Sequence, residues 1–507
     1  MDSEREVAPG LFWNVIKQGA KAYFVGIKGT GMCALSELLH NRGITVSGSD
    51  SEEVFYTDAI LKELLIPFHE SFEASHIEQG DKRPDLVVYS AAYSCEGNPE
   101  IAEAVRQGIP VLKFSEAVGA YSARFDSTGI AGVHGKTTTT ALAGTLLQAV
   151  GLPAQILAGS AFGSAVGERS TLSLGDKYFV AETCEYRRNF LSFHPQRIVL
   201  TSVESDHQDY YPTYEDIREA FVEYGRLLPP GGGFIYCADD PGASEVAMIL
   251  RKEKREINFV PYGFNAPGDF GIEDCKVSDG RLVFRLRLFP AGLAVRIPGR
   301  HTALNAAAAI ALCSLLVKKE FDGEGNDGWN KERREGLIKA LEGFGGAKRR
   351  SEILGEAAGI LFMDDYGHHP TAIKATLKGL KEFYPERRLV LSFMSHTYTR
   401  TAMLLDGFAS SFENADIVIL HKIYPSAREV YRGGITGRTL FERTAEKPGG
   451  GRVFYAEEIE DGFELMKGML KSGDLFITMG AGDNWKLGKK LYDYYAGTSG
   501  GGPQLRA

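Results

Sequence analysis

The sequence has no Cys-x-x-Cys pair. Its six cysteines, at positions 33, 95, 184, 237, 275 and 313, are scattered, which argues against a disulfide framework and predicts reduced, buried thiols in a cytoplasmic protein. No apolar run of about eighteen residues, the length that spans a bilayer, stands out. The opening MDSEREVAPG is polar and acidic and does not read as a signal peptide. Positive charge is in deficit, with a formal net charge of −9. That argues against nucleic acid or an anionic membrane as the main partner. Phosphate groups must then be held by local cations and backbone amides. No self-similarity at a period of about 20–50 residues suggests a repeat fold. What remains is a chain of 507 residues, 44% hydrophobic and 24% charged, which suits two to four soluble domains better than one core.

Strand-like and helix-like patterns alternate in three blocks, so the predicted class is α/β with mostly parallel sheets. The first block runs from Ala22-Tyr-Phe-Val-Gly through a helix-like Met32–Asn41 to Ile44-Thr-Val-Ser-Gly, then Leu86-Val-Val-Tyr and Ile109-Pro-Val-Leu. The second opens with Ser127-Thr-Gly-Ile-Ala-Gly and a helix over about 136–149. It continues through Tyr178-Phe-Val-Ala and Arg197-Ile-Val-Leu to about Phe344. The third holds Ile360-Leu-Phe-Met, Leu389-Val-Leu-Ser, Ile417-Val-Ile-Leu and Leu475-Phe-Ile-Thr. Asp322-Gly-Glu-Gly-Asn-Asp-Gly reads as a polar loop and 498–507 as a frayed tail.

The sharpest chemical signal is Gly132-Val-His134-Gly135-Lys136-Thr137-Thr138, set between a strand and a helix. Small residues there let backbone N–H groups face phosphate oxygens at a helix N-terminus. Lys136 would neutralise phosphate charge, and Thr137 or Thr138 would reach Mg²⁺. It departs from the common phosphate-loop pattern in having Ile130 where the first glycine stands. The bland alternative, a surface lysine after a turn, ignores the strand and helix on either side. Gly26-Ile-Lys28-Gly29-Thr30-Gly31, followed by Asp50 at the end of the next strand, is weaker, because Lys28 occupies a glycine position of the dinucleotide fingerprint. A nicotinamide, a nucleotide sugar or a tight turn would each explain it.

Glu182, Glu185, Asp206 and His207 follow adjacent buried strands, where ligands of parallel sheets sit; ordinary loop polarity is the alternative. His301 and Asn305 lie one turn apart on an alanine-rich helix and are read as facing a polar ligand or as a satisfied core pair. Asp364-Asp365-Tyr366-Gly367-His368-His369 has zinc-site donor types, but no third ligand stands at suitable spacing, which disfavours zinc.

Taken in order, GIKGTGM, GVHGKTTTT, ETCEYRRNF, ESDH, PGRHTALNAAAA, FGGAKRR, DDYGHHP, HTYTR and GAGD resemble the Mur ligase family from Gly26 to about Leu487. The resemblance implies a UDP-sugar-binding Rossmann-like domain over 1–124, a central phosphate-loop ATPase with a parallel sheet over 125–346, and a Rossmann-like amino-acid-binding domain over 347–507. It implies ATP and Mg²⁺ as cofactors. UDP-N-acetylmuramate and L-alanine are the implied substrates, with no nucleic-acid or membrane partner and a monomer or homodimer as the assembly. By the same likeness Gly132, His134, Gly135, Lys136, Thr137 and Thr138 hold ATP, with His301, Asn305, Arg350 and Asp365 around it. Thr137, Glu182 and His207 hold the metal, with Glu185 an alternative to Glu182. Lys136, Asp365, His369 and Arg400 are the catalytic set, and Gly26, Gly29, Thr30, Gly31 and Asp50 meet the UDP-sugar. Thr302 and Thr397 stand where many members carry Asn and Arg. The implied reaction phosphorylates a carboxylate to an acyl phosphate, which an amine then attacks. Rival readings are a nicotinamide oxidoreductase, which leaves the phosphate loop unused, a non-enzymatic nucleotide-binding regulator, and a ligase that attaches a preformed tripeptide.

Overall fold

Runs of β-branched and aromatic residues build three separate, mostly parallel sheets, each covered by helices. In this computed structural model the described residues are 10–164, 167–253, 256–425, 429, 431, 433–447 and 452–498. The expected frayed tail beyond 498 and the first nine residues lie outside them.

The first sheet contains β1 (Lys21–Val25), β2 (Thr45–Ser49), β3 (Phe68–His69), β4 (Leu86–Tyr89) and β5 (Val111–Lys113), in the order β3-β2-β1-β4-β5. All its pairings are parallel. The order reverses between β1 and β4, and the loop after β1 opens at that crevice.

The second sheet has the order β12-β11-β10-β6-β9-β7-β8. Its strands are β6 (Asp126–Ala131), β7 (Ala154–Ser164), β8 (Gly167–Ser173), β9 (Tyr178–Glu182), β10 (Arg197–Leu200), β11 (Gly233–Cys237) and β12 (Asn258–Tyr262). Only the β7–β8 hairpin is antiparallel. A small antiparallel meander follows, β13 (Ile272–Ser278), β14 (Arg281–Leu286) and β15 (Phe289–Val295). The third sheet, β16 (Glu352–Ala357), β17 (Ile360–Asp365), β18 (Arg388–Phe393), β19 (Ile417–Leu420), β20 (Val453–Tyr455) and β21 (Asp474–Met479), has the order β16-β17-β21-β18-β19-β20. Its β16–β17 pair is antiparallel and the rest parallel.

Two expectations need correction. The helix Arg300–Glu320 is long and apolar enough, by length and composition, to cross a membrane. Its apolar window is 72% buried, because Ala306 to Ala309 are fully covered and let it lie close on the Lys136–Ala149 helix. It is a core helix. The cysteines are all free, but Cys95 and Cys184 are exposed rather than buried, because each sits in a loop beyond a strand end, and Cys275 is only half-buried on β13.

Candidate active site

The loop between β6 and the Lys136–Ala149 helix is held in shape by two glycines. Gly132 has φ +133° and Gly135 φ +81°, and a Cβ on Gly135 would sit 2.5 Å from Asn305 Oδ1. No side chain caps the helix that follows, so its first N–H groups remain available to an anion. Lys136 folds back over this loop. Its ammonium donates to the Gly132 carbonyl and pairs with Glu185 Oε2 at 2.9 Å. Burial alone would lower the Lys136 pKa, but the Glu185 carboxylate, with Cys184 and Glu182 nearby, raises it above the ordinary lysine value. Glu185 in turn is kept below the carboxylate range, since Lys136 and His207 outweigh its burial.

His207 Nε2 lies 3.4 Å from Glu185 Oε1. Glu182 instead accepts from the Gly159 N–H at 2.8 Å. Both carboxylates line one cleft of about 480 Å³, which also takes in His134, Gly135, Lys136, Thr137 and Thr138. From beyond β15 the cleft gathers His301, Asn305, Arg350, Asp365, His369 and Arg400. The structure thus brings nearly all the predicted nucleotide, metal and catalytic residues to one place.

Their partners differ in what they leave free. Arg350 Nη2 is 3.4 Å from Thr137 Oγ1, across the two domains. Asp365 accepts from the Ser351 and Gly367 N–H groups, each at 2.7 Å, so its carboxylate braces the turn after β17. Burial pushes the His301 pKa down. Arg400 reaches from the Tyr398–Met403 helix to Asp206 Oδ1, with Nε at 3.0 Å and Nη2 at 2.6 Å, and its Nη1 is 3.0 Å from His396 Nδ1. Burial would raise the Asp206 carboxyl, yet Arg400, helped by His207 and His368, holds it well below the carboxylate range. His368 is pushed far below the ordinary imidazole value by burial and by Arg400.

His369 caps the Pro370–Phe383 helix, and proline at the first helical position needs no N–H partner. Burial, reinforced by His134 and Arg400, keeps the His369 pKa below that of free imidazole, against the pull of Glu204. Backbone strain concentrates here too, with positive φ at His207 (54°), Arg349 (57°), Ser351 (48°) and Thr397 (63°).

The second predicted site is separate. Gly26 has φ +85°, and a Cβ there would meet Tyr93 at 2.8 Å. Gly29 stands uncapped before the helix Thr30–His40, and a Cβ on Gly31 would meet Phe114 at 2.6 Å. Asp50 accepts from the Lys28 N–H at 2.7 Å and the Ser51 N–H at 2.8 Å. It is buried and shapes the loop. The Lys28 ammonium turns inward to Asp58 and Glu70, each at 3.1 Å. These residues lie at the first sheet and not in the large cleft.

Sequence reasoning passes over Glu204, which contacts His134 and Thr371 Oγ1, and gives Asp206 no partner. Both follow β10, and that position at a strand's carboxyl end was the available signal.

Comparison with known proteins covers the same three units. Residues 21–126 match the family model described as "Mur ligase family, catalytic domain", 130–313 the "Mur ligase middle domain", and 349–482 "Mur ligase, glutamate ligase domain". A UDP-N-acetylmuramate–L-alanine ligase of Treponema pallidum (strain Nichols) is 52% identical over 94% of this chain and 97% of its own length. That of Borreliella burgdorferi is 36% identical over 92% and 97%. Among solved structures, UDP-N-acetylmuramate-alanine ligase from Thermotoga maritima superposes with a TM-score of 0.74 at 24% identity, over 94% of this chain and 99% of that one. MurF ligase from the same organism, in complex with ADP, gives 0.56 at 16% identity over 84% and 97%. These last two speak to the fold.

Proposed function

This chain belongs to the Mur ligase family, and from that premise we propose that it joins L-alanine to UDP-N-acetylmuramate, converting ATP to ADP and phosphate. The reaction takes place in the cytoplasm and supplies a peptidoglycan precursor, on which cell shape and division depend. The observation that carries this reading is the meeting of Lys136 with His369 and Arg400 in one cleft between the central and C-terminal sheets.

A carboxylate is a poor acyl donor until an oxygen becomes a good leaving group. Here the lactyl carboxylate attacks the γ-phosphorus of ATP, giving an acyl phosphate and ADP. Lys136 and the uncapped helix N–H groups spread the charge on the transferring group. Glu185 holds the Lys136 ammonium over the loop until nucleotide enters. Thr137, Glu182, Glu185 and His207 offer hydroxyl, carboxylate and imidazole donors beside that loop, a set that fits Mg²⁺. A bound Mg²⁺ would neutralise phosphate charge there.

The alanine amine then attacks the acyl carbon, and the tetrahedral intermediate expels phosphate. His369 and Asp365 are the candidate bases for the ammonium proton; Asp365 is engaged by the Ser351 and Gly367 N–H groups, which favours His369, kept neutral by burial. Arg400 holds the alanine carboxylate with the guanidinium N–H groups that Asp206 and His396 leave free. Gly26, Gly29, Thr30, Gly31 and Asp50 receive the UDP moiety, with residues 1–124, 125–346 and 347–507 as the three domains and a monomer or homodimer as the working unit.

The test is ATP-dependent phosphate release with UDP-N-acetylmuramate, run across alanine, glycine, serine and a tripeptide. Turnover with alanine, with ¹⁸O passing from the lactyl carboxylate into phosphate, is expected. Turnover with the tripeptide alone, or formation of AMP, would refute the reading.

A further inference from the structure

Three donors that the sequence keeps far apart meet in the cleft. His134 comes from the phosphate loop, Glu204 from the segment after β10, and His369 from the start of the Pro370–Phe383 helix. Their candidate ligand atoms all lie within 4.8 Å of one another, the one such group of three among the described residues. Glu204 Oε1 contacts His134 Nε2 and lies 3.4 Å from His369 Nδ1. The two imidazole rings stand 5.1 Å apart between centroids.

His369 is 6% exposed, and its Nε2 has no hydrogen-bond partner. Nδ1 is the nitrogen that faces Glu204, and its other contact is the long 3.4 Å hydrogen bond it accepts from the Thr371 N–H, which an ion would replace.

We propose that His134, Glu204 and His369 form a transition-metal site of the zinc class that bridges the central and C-terminal domains. Two imidazoles and one carboxylate suit Zn²⁺, whereas Mg²⁺ favours oxygen donors and keeps its waters. The site is distinct from the Thr137, Glu182, Glu185 and His207 set. Tetrahedral bonds of about 2.0–2.1 Å put ligand atoms about 3.3 Å apart. The Glu204–His369 spacing already matches that. Glu204 and His134 are closer than this and must part slightly, and both side chains are only about three-quarters covered, at 29% and 27% exposed.

The ligand types were visible in the sequence only as His368 and His369 beside two acids. Of those four residues His369 alone takes part, and its fellow ligands come from the other domain. An ion held here ties the two domains together across the phosphate loop, so Zn²⁺ arrests turnover even when Mg²⁺ is plentiful.

Co²⁺ titration of the full-length, nucleotide-free protein in excess Mg²⁺ tests this without reference to ligase activity. One equivalent should bind with the intense visible bands of four-coordinate cobalt, lack a sulfur-to-cobalt band, and be displaced by Zn²⁺. Glu204→Gln and His369→Gln should each weaken binding at least about 10-fold, while His207→Ala leaves the spectrum unchanged. His134→Gln gives an independent check, and the unfolding midpoint of each metal-free variant identifies any that fails to fold. A sulfur band would place the ion at a thiol such as Cys184 and overturn the assignment. So would unaltered affinity in the folded variants, or no binding at all.

Discussion

Arg400→Ala separates the ion pair that the guanidinium makes in the structure from the carboxylate binding proposed for it. In the structure Nε and Nη2 both donate to Asp206 Oδ1, with the two side chains 7% and 5% exposed. Removing one partner of such a buried pair costs about 3–5 kcal/mol, because the other charge is left without compensation. The pair spans the central and C-terminal domains, so the loss falls on the closed arrangement. The carboxylate of bound alanine loses a charged hydrogen bond besides, about 1.5–3 kcal/mol. At 1.4 kcal/mol per tenfold, that second loss raises KM for alanine by roughly 10-fold or more.

Steady-state kinetics with each substrate varied in turn distinguishes the contributions. Carboxylate binding moves KM for alanine and leaves KM for ATP nearly constant. Loss of closure alone lowers kcat and shifts both constants together. Asp206→Asn keeps the shape and removes the charge, so it isolates closure, and alanine KM should move far less than in Arg400→Ala. Arg400→Lys should recover only part, since the charge survives but the planar fork does not. An unchanged alanine KM in Arg400→Ala would refute the carboxylate assignment.

Lys136→Ala should lower kcat by on the order of 10²–10⁴ with folding nearly intact; near-normal turnover would remove Lys136 from the phosphate site. Glu182→Ala and His207→Ala should raise the Mg²⁺ concentration needed for half-maximal rate, and Glu185→Ala should do so less because its contact is with Lys136. Equal, mild effects in all three would mark these groups as structural. Burial pushes buried His421 down from 6.5 to about 4. The unfolded state therefore binds the proton first, and stability present above pH ~6.5 is lost as pH falls toward ~4, by roughly 3 kcal/mol at about 1.4 per unit. Chemical denaturation against pH should show that slope, and His421→Gln should flatten it; an equal slope in the variant would place the acid sensitivity elsewhere.

The buried parallel strands were legible because continuous apolar runs such as Leu86–Tyr89 and Ile417–Leu420 have one good explanation in an α/β chain. The β7–β8 hairpin was not, since Ala154–Ser164 is rich in alanine and glycine and carries little strand propensity. The β13–β15 meander escaped as well, because its strands are half exposed and interrupted by bulges. At the site, the strand, glycine turn and helix around Lys136 were readable from local spacing alone. Partnerships were not: Arg400 with Asp206 and His369 with Glu204 join residues far apart in the chain, and only tertiary structure says which acid meets which base.

The contacts that cross the cleft suit the division of the proposed catalytic groups between the central and C-terminal sheets. Arg400–Asp206, Arg350–Thr137 and Thr371–Glu204 are all polar. The central and C-terminal hydrophobic clusters are largely distinct, but Phe383 at the end of the helix Pro370–Phe383 is buried in the central one, and Tyr384 is partly buried against both. A polar interface of this kind opens and closes at modest free-energy difference. In the proposed reaction an acyl phosphate left in water would hydrolyse, so the proposed amine pocket, His369 and Arg400, must close over it with solvent excluded. With Lys136 on one domain and the proposed amino-acid groups on the other, activation and attack would be productive only in the shut cleft. One ion pair and two hydroxyl contacts cross the polar part of that cleft, and substrate groups could replace them.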